Sequence, residues 1–120
     1  MNNKHKYNLE ERTAKFGESI IDFSKKIILN PINKPLITQV VRSSTSIGAN
    51  YCEANGASSK KDFKNKIHIC KKEAAETKHW LRMLARSNPE KTSKIKEFWR
   101  EAQELTLIFS KIISSLKKNK

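Results

Sequence analysis

Cysteine, glycine and proline are all scarce: the 120-residue chain has two, three and three of them. Two cysteines, Cys52 and Cys70, cannot build a disulfide framework of the secreted kind. On antiparallel helices joined near Ser58, Cys52 would sit nearer the turn than Cys70, so a bridge would need distortion. Both are read as reduced, small apolar residues. So few breakers, beside 37% hydrophobic and 31% charged residues, suit helices better than sheet, and the mixture is too apolar for an entirely disordered chain. No apolar run approaches the roughly 20 residues that span a bilayer. The polar stretch Met1 to Leu9 also lacks the apolar segment of a secretion signal, and together these lead us to expect a cytoplasmic protein without a membrane partner.

Acid is in short supply too. Twelve Asp and Glu stand against 25 Lys and Arg, a formal net charge of +13. The imbalance is uneven: residues 1–56 carry 8 basic against 5 acidic side chains, and residues 57–120 carry 17 against 7. A strongly basic surface attracts polyanions and speeds encounters with them. Nucleic acid fits that charge, as would an acidic protein or an anionic membrane surface. Charge gives a class of partner, not an identity.

What is present is helical periodicity, with apolar residues recurring at steps of three and four along nearly the whole chain. A first helix is expected from about Leu9 to Leu29, with Leu9, Phe16, Ile20, Phe23 and Ile27 on one stripe, a capping-box spacing at Asn8 and Glu11, and Asn30-Pro31 ending it. A second, from about Pro35 to Ala54, faces Leu36, Val40, Ile47, Tyr51 and Ala54 inward. Its middle is all small (Ser43, Ser44, Ser46, Gly48, Ala49), which suits close approach by another helix and compensates the roughly 1 kcal/mol a helical glycine costs. Gly56 suits a helix C-cap, and Ser59 with Asp62 caps a third helix from about Lys60 to Arg86. Its stripe is Phe63, Ile67, Cys70, Ala74, Thr77, Leu81 and Leu84. Asn88-Pro89-Glu90 marks the start of a fourth helix, from about 90 to Leu116, with Ile95, Phe98, Ala102, Leu105, Phe109, Ile112 and Leu116 inward. Four long helices with short links make one all-α domain, an antiparallel up-down-up-down four-helix bundle spanning residues 1–120. A second apolar set, Ile21, Ile28, Val41, Ile69, Trp99, Ile108 and Ile113, widens the core faces and is numerous enough to suggest self-association.

The third helix separates its charges. At 100° per residue from Phe63, its core positions fall between about −60° and +40°. Lys60, Lys61, Lys64, Lys71, Lys72, Lys78, Arg82 and Arg86 all fall between about 60° and 180°, with His68 and His79 in the same sector. Asp62, Glu73 and Glu76 lie between about 220° and 280°, with Lys66 beside them and spaced to pair with Asp62. A merely solvated face intersperses its signs, whereas this one forms a ridge able to follow a phosphate backbone with salt-sensitive, largely sequence-independent affinity. Turning the chain near Ser58 brings Arg42 level with Glu73 and Ala74, so Arg42 with Glu73 or Glu76 is a candidate partly buried pair. Asn50 and Glu53 are expected to join it in a structural polar layer. Trp80 falls on the acidic edge and Trp99 beside the fourth stripe; both are read as packing residues, so stacking on unpaired bases has little support.

Catalysis would need a nucleophile with its base, paired carboxylates, a metal cluster or a phosphate cradle. His68 and His79 are about three turns apart, too far to share a metal, and Cys52, Cys70 and His68 lack the paired spacing of a zinc site. Glu73 and Glu76 have no Glu-x-x-His partner. We expect no enzyme activity, no metal and no cofactor.

The run Arg42-Ser43-Ser44-Thr45-Ser46-Ile47-Gly48-Ala49-Asn50-Tyr51, then Glu53 through Phe63, and then Lys72-Glu73-Ala74-Ala75-Glu76-Thr77 to Trp80-Leu81, resembles a bacterial four-helix-bundle family. Its members are encoded in intervening sequences of the 23S ribosomal RNA gene, and it includes the accessory variability determinant proteins of diversity-generating retroelements. Glu11-Arg12-Thr13 and the first helix also fit, so the likeness covers most of the chain. Cys52 departs from it, standing where relatives often carry an acid. The resemblance implies a basic homo-oligomer, commonly a ring-like pentamer, with nucleic acid (RNA favoured) as partner and a reverse transcriptase as partner in the retroelement branch. Two functions follow: a nucleic-acid-binding scaffold that uses the third helix, or an adaptor docking an acidic protein without touching nucleic acid.

Overall fold

The computed structural model describes residues 8–118. Among them stand four α-helices, α1 Leu9–Ser24, α2 Asn33–Asn55, α3 Lys60–Ser87 and α4 Thr92–Lys118, with a 3-10 turn at Pro89–Lys91 and no strand. Asn8 caps α1 by accepting from the Glu11 amide at 3.3 Å, and Ser59 caps α3 by accepting from the Asp62 amide at 3.0 Å. Gly56 does close α2, at φ −98°, so the left-handed freedom of glycine is not used there.

Contacts between helices fix the topology. Along the α2–α3 seam, Arg42 meets Glu73, Ser43 meets Thr77, the Ile47 carbonyl meets the Cys70 thiol, and Glu53 meets Lys66. From Ser43 through Ile47 to Glu53 the partner falls from Thr77 through Cys70 to Lys66, which is antiparallel pairing. The same holds for α1 on α2 (Cys52 on Glu10, Thr45 on Gly17) and for α3 on α4. The result is an up-down-up-down four-helix bundle, 48 × 28 × 20 Å. Its core holds most of the expected stripes, with Ile20, Val40, Ile47, Ile67, Leu81, Leu84, Leu105 and Phe109 fully enclosed, while Leu36, Tyr51, Phe63 and Leu116 are only partly buried. On α4, Ile113 is in the core and Ile112 only partly buried, the reverse of the sequence expectation. From Phe109, steps of three and of four both stay near the core face, so periodicity alone does not choose between them.

The small residues of α2 serve two neighbours. Ser43 accepts a hydrogen bond from Thr77 of α3 at 2.9 Å. On the other side α1 comes close: a Cβ on Gly48 would lie 3.2 Å from the Thr13 hydroxyl, and one on Gly17 3.4 Å from Thr45.

Two boundaries differ from the periodicity. The first helix ends at Ser24 rather than near Leu29, although Ile27 remains buried. Past it the backbone tightens to i→i+3 bonds, Lys26 to Phe23 at 3.0 Å and Ile27 to Ser24 at 3.2 Å. Beyond them Asn33, a buried side chain, donates to the Ile28 carbonyl at 2.9 Å and exchanges two 3.0 Å hydrogen bonds with Asn88. Ser87 donates to Asn33 at 2.7 Å, and Asn88 donates to the Leu84 carbonyl at 3.0 Å. With its side chain so occupied, Asn88 does not cap the fourth helix; a 3-10 turn intervenes and α4 begins at Thr92. This amide pair locks the α1–α2 connection to the α3–α4 turn at one end of the bundle.

Candidate nucleic-acid interface

The ridge on α3 has two rows. Lys60, Lys61, Lys72, Arg82 and Arg86 are exposed, whereas Lys64, Lys71 and Lys78, each seven residues from the next, are half-buried. The second row is the edge of the cationic sector nearest the core, where α4 lies. Lys78 shows the consequence: its ammonium hydrogen-bonds the Gln103 amide oxygen and lies 5.2 Å above the Trp99 ring. None of the eight cations forms an ion pair among the described residues, where every ion pair involves Arg12, Lys15, Arg42, Lys66 or Lys94.

Elsewhere Arg12, Lys15, Arg42, Lys66 and Lys94 are paired, whereas Lys25, Lys26, Lys34, Lys96 and Arg100 form no ion pair among the described residues. Arg12 of α1 reaches α4, where its guanidinium meets both oxygens of Glu101 at 2.7 and 2.9 Å and Glu104 at 2.8 Å. On the α2–α3 seam Arg42 lies 3.2 Å from the buried Glu73 and hydrogen-bonds Glu76, with Gln39 accepting from its Nε at 3.0 Å. The Trp80 indole N–H donates to Glu76 at 2.9 Å. Glu76 lies below the ordinary carboxylate value, first because of that indole bond and then because of Arg42, with burial opposing both.

Asn50 and Glu53 do not join this group. Asn50 donates to the Ser46 carbonyl of its own helix at 2.8 Å, and Glu53 pairs with Lys66 at 2.7 Å, so Lys66 turns to α2 rather than to Asp62. The spacing forbids a single layer, since Asn50 lies about 12 Å and Glu53 about 16 Å along the helix from Arg42. The seam thus carries separate polar contacts, each satisfied at its own level. Cys70 is buried among them, its thiol pushed up to about 12 by burial; Cys52 is exposed, contrary to the reading of both cysteines as small apolar residues.

Sequence reasoning missed the part of the cationic surface that α4 supplies. Lys96 and Arg100 are exposed on α4 and share a groove of about 420 Å³ with Arg82, Ala85, Thr92, Ile95 and Trp99. No acid lines it. The signal was available: Lys96 and Arg100 stand at i,i+4 on one helix face, and an antiparallel turn near Asn88 brings that face level with Arg82. Among the described residues no group of three or more His, Cys, Asp or Glu is arranged to hold a metal ion, and no helix is long and apolar enough to cross a membrane.

Of the second apolar set, Ile21, Ile28 and Trp99 are exposed, Val41, Ile69 and Ile108 half-buried, and Ile113 is core. The largest exposed apolar group is one the sequence did not single out as a cluster: Ile28, Leu29 and Ile32, at 73%, 70% and 63% exposure in and beside the α1–α2 connection.

A family model for the 23S rRNA-intervening sequence protein matches residues 5–113. Among solved structures, the chain is similar to the 1.70 Å crystal structure of a protein with unknown function from the S23 ribosomal protein family of Bacteroides thetaiotaomicron. The two are 31% identical, with 87% of this chain and 96% of that one covered and a TM-score of 0.76. No curated protein matches the chain.

Proposed function

The chain belongs to the 23S rRNA-intervening sequence protein family, and from that premise we propose that it is a basic, non-enzymatic, oligomeric scaffold that binds nucleic acid in the cytoplasm, RNA before DNA, through phosphate contacts along α3. One observation carries this: eight cations stand on one face of a rigid 28-residue helix without a single ion pair among the described residues. Cations not tied up in ion pairs are ready to displace counterions from a phosphate chain. The five exposed members supply the contacts, and Lys96 and Arg100 extend the surface onto α4. The exposed Ile28, Leu29 and Ile32 give the chain an apolar surface for self-association, and a ring such as the pentamer implied by resemblance would multiply weak phosphate contacts by avidity.

A fluorescence anisotropy titration with structured RNA tests it. Neutralising about six phosphates predicts a log–log salt dependence of slope roughly −4 to −5, with little preference among sequences. Absence of binding at low salt would leave the ridge to an acidic protein, a reverse transcriptase among the candidates, and the chain would be an adaptor.

A further inference from the structure

Trp99 is packed only in part. It is 40% exposed, on a helix whose neighbouring Phe98 is 7% exposed and whose inward stripe is closed without it. An exposed indole is costly to leave in water, and here it is ringed by cations: Lys78 lies 5.2 Å over the ring, and Arg82, Lys96 and Arg100 line the groove beside it. Lys78 covers one face of the ring, and the groove borders the indole without Lys78 in its lining. The floor is apolar (Ala85, Ile95 and the indole), the rim is cationic, and no acid is present.

An apolar, aromatic floor inside a cationic rim matches a ligand with a flat π-face and an attached negative charge, which is a nucleotide with its base unstacked. Base-on-aromatic stacking tolerates any base, and cationic neighbours hold the flanking phosphates. The groove is also continuous with the α3 ridge through Arg82, so a strand entering it has further phosphate partners at Arg86 and Lys72. That continuity selects a polynucleotide over a free mononucleotide, which would use the groove alone.

We infer that the Trp99 groove between α3 and α4 is a stacking site for an unpaired nucleotide of a nucleic-acid strand, with Arg82, Lys96 and Arg100 holding its phosphates. This rests on the phosphate-binding reading of α3 and adds to it a preference for unpaired over fully paired strands.

The test uses full-length protein carrying Trp80→Phe, so that Trp99 is the sole tryptophan. Three probes are titrated at low salt: an unstructured 12-nucleotide RNA, a blunt RNA duplex of equal length and a mononucleotide. The unstructured RNA is expected to quench Trp99 emission and to bind more tightly than the duplex, and the mononucleotide to bind far more weakly. Trp99→Leu, read by anisotropy in protein whose helical content is unchanged, should weaken the unstructured RNA by roughly 5- to 100-fold and leave the duplex unchanged. Unmoved Trp99 emission at saturating RNA, or equal losses for single strand and duplex, overturns the stacking site while the ridge stands. Tight mononucleotide binding overturns the polynucleotide assignment. If neither RNA binds, the ridge and the groove fall together.

Discussion

Arg12 of α1 and Lys72 of α3 are both cations at the surface of one bundle, yet Arg12 is held by two carboxylates of α4 and Lys72 forms no ion pair among the described residues. The contrast extends to the sides they stand on. At the α1–α4 junction and the α2–α3 seam, Arg12, Arg42 and Lys66 each meet an acid from another helix, and the short-range pairs Lys15–Glu11 and Lys94–Glu97 flank them. Five of the chain's 12 acids (Glu53, Glu73, Glu76, Glu101 and Glu104) pair between helices, and Glu11 and Glu97 pair within their own. Acid is therefore spent where helices must be registered, and the outer face of α3 receives none. Interspersed signs would have relieved the repulsion along α3; under the proposed function a bound polyanion would relieve it instead.

The sharpest way to break this contrast is to reverse the unpaired side. Lys72→Glu, Arg82→Glu and Arg86→Glu together should cut affinity for structured RNA by 100-fold or more at low salt, because three favourable phosphate contacts become three repulsions. Stability should fall by no more than about 1 kcal/mol: these exposed side chains form no ion pair, but Lys72 stands one turn from Glu76 and Arg86 lies in the last turn of α3. Anisotropy and urea denaturation measure the two effects. A loss of stability without a loss of binding would show the ridge to be structural.

The opposite result is expected from the satisfied interior. Asn33→Leu removes an amide that is 1% exposed and strands that of Asn88, also buried, without its cross-loop partner. The cost should be about 2–3 kcal/mol in urea denaturation, with RNA affinity of the folded protein unchanged because neither asparagine reaches the cationic face. A cost near zero would mean that water replaces the pair without penalty.

Periodicity disclosed the bundle and nearly all its core because each amphipathic helix carries its burial pattern locally, one residue every three or four. The charge separation on α3 was legible for the same reason: it is a property of one helix and needs only 100° per residue. What stayed hidden depends on pairs distant in sequence. Arg12 and Glu101 are 89 residues apart, and nothing local to either announces the other. The missing cap at Asn88 follows from its pairing with Asn33, 55 residues away. The Trp99 groove needs α3 and α4 side by side before Arg82, Lys96 and Arg100 become one surface. Arg42 with Glu73 was found because two helices joined by a short turn have a computable register, but extending that register to Asn50 and Glu53 ignored the length of helix between them.

The smallest expected effect concerns acid on the paired side. Glu76 titrates below the ordinary carboxylate value of 4.5, with the Trp80 indole bond the largest contributor and Arg42 adding to it against the pull of burial. A depressed folded-state value means that the unfolded chain takes up the proton first. The resulting stability is fully present above pH 4.5 and is lost as pH falls through the lower folded value. Trp80→Phe removes the indole donor, so the folded value moves back toward 4.5 and the acid sensitivity of this group shrinks. Glu76 is about one-third exposed, so solvent screening keeps the difference small, about 0.5–1 kcal/mol at pH 7. Urea denaturation of parent and variant at pH 7 and pH 3 measures it. The gap between them should narrow at pH 3, where the protonated carboxyl gains less from the indole donor; a gap constant across that range would assign the effect of Trp80 to packing and leave Arg42 alone to hold the seam's charge.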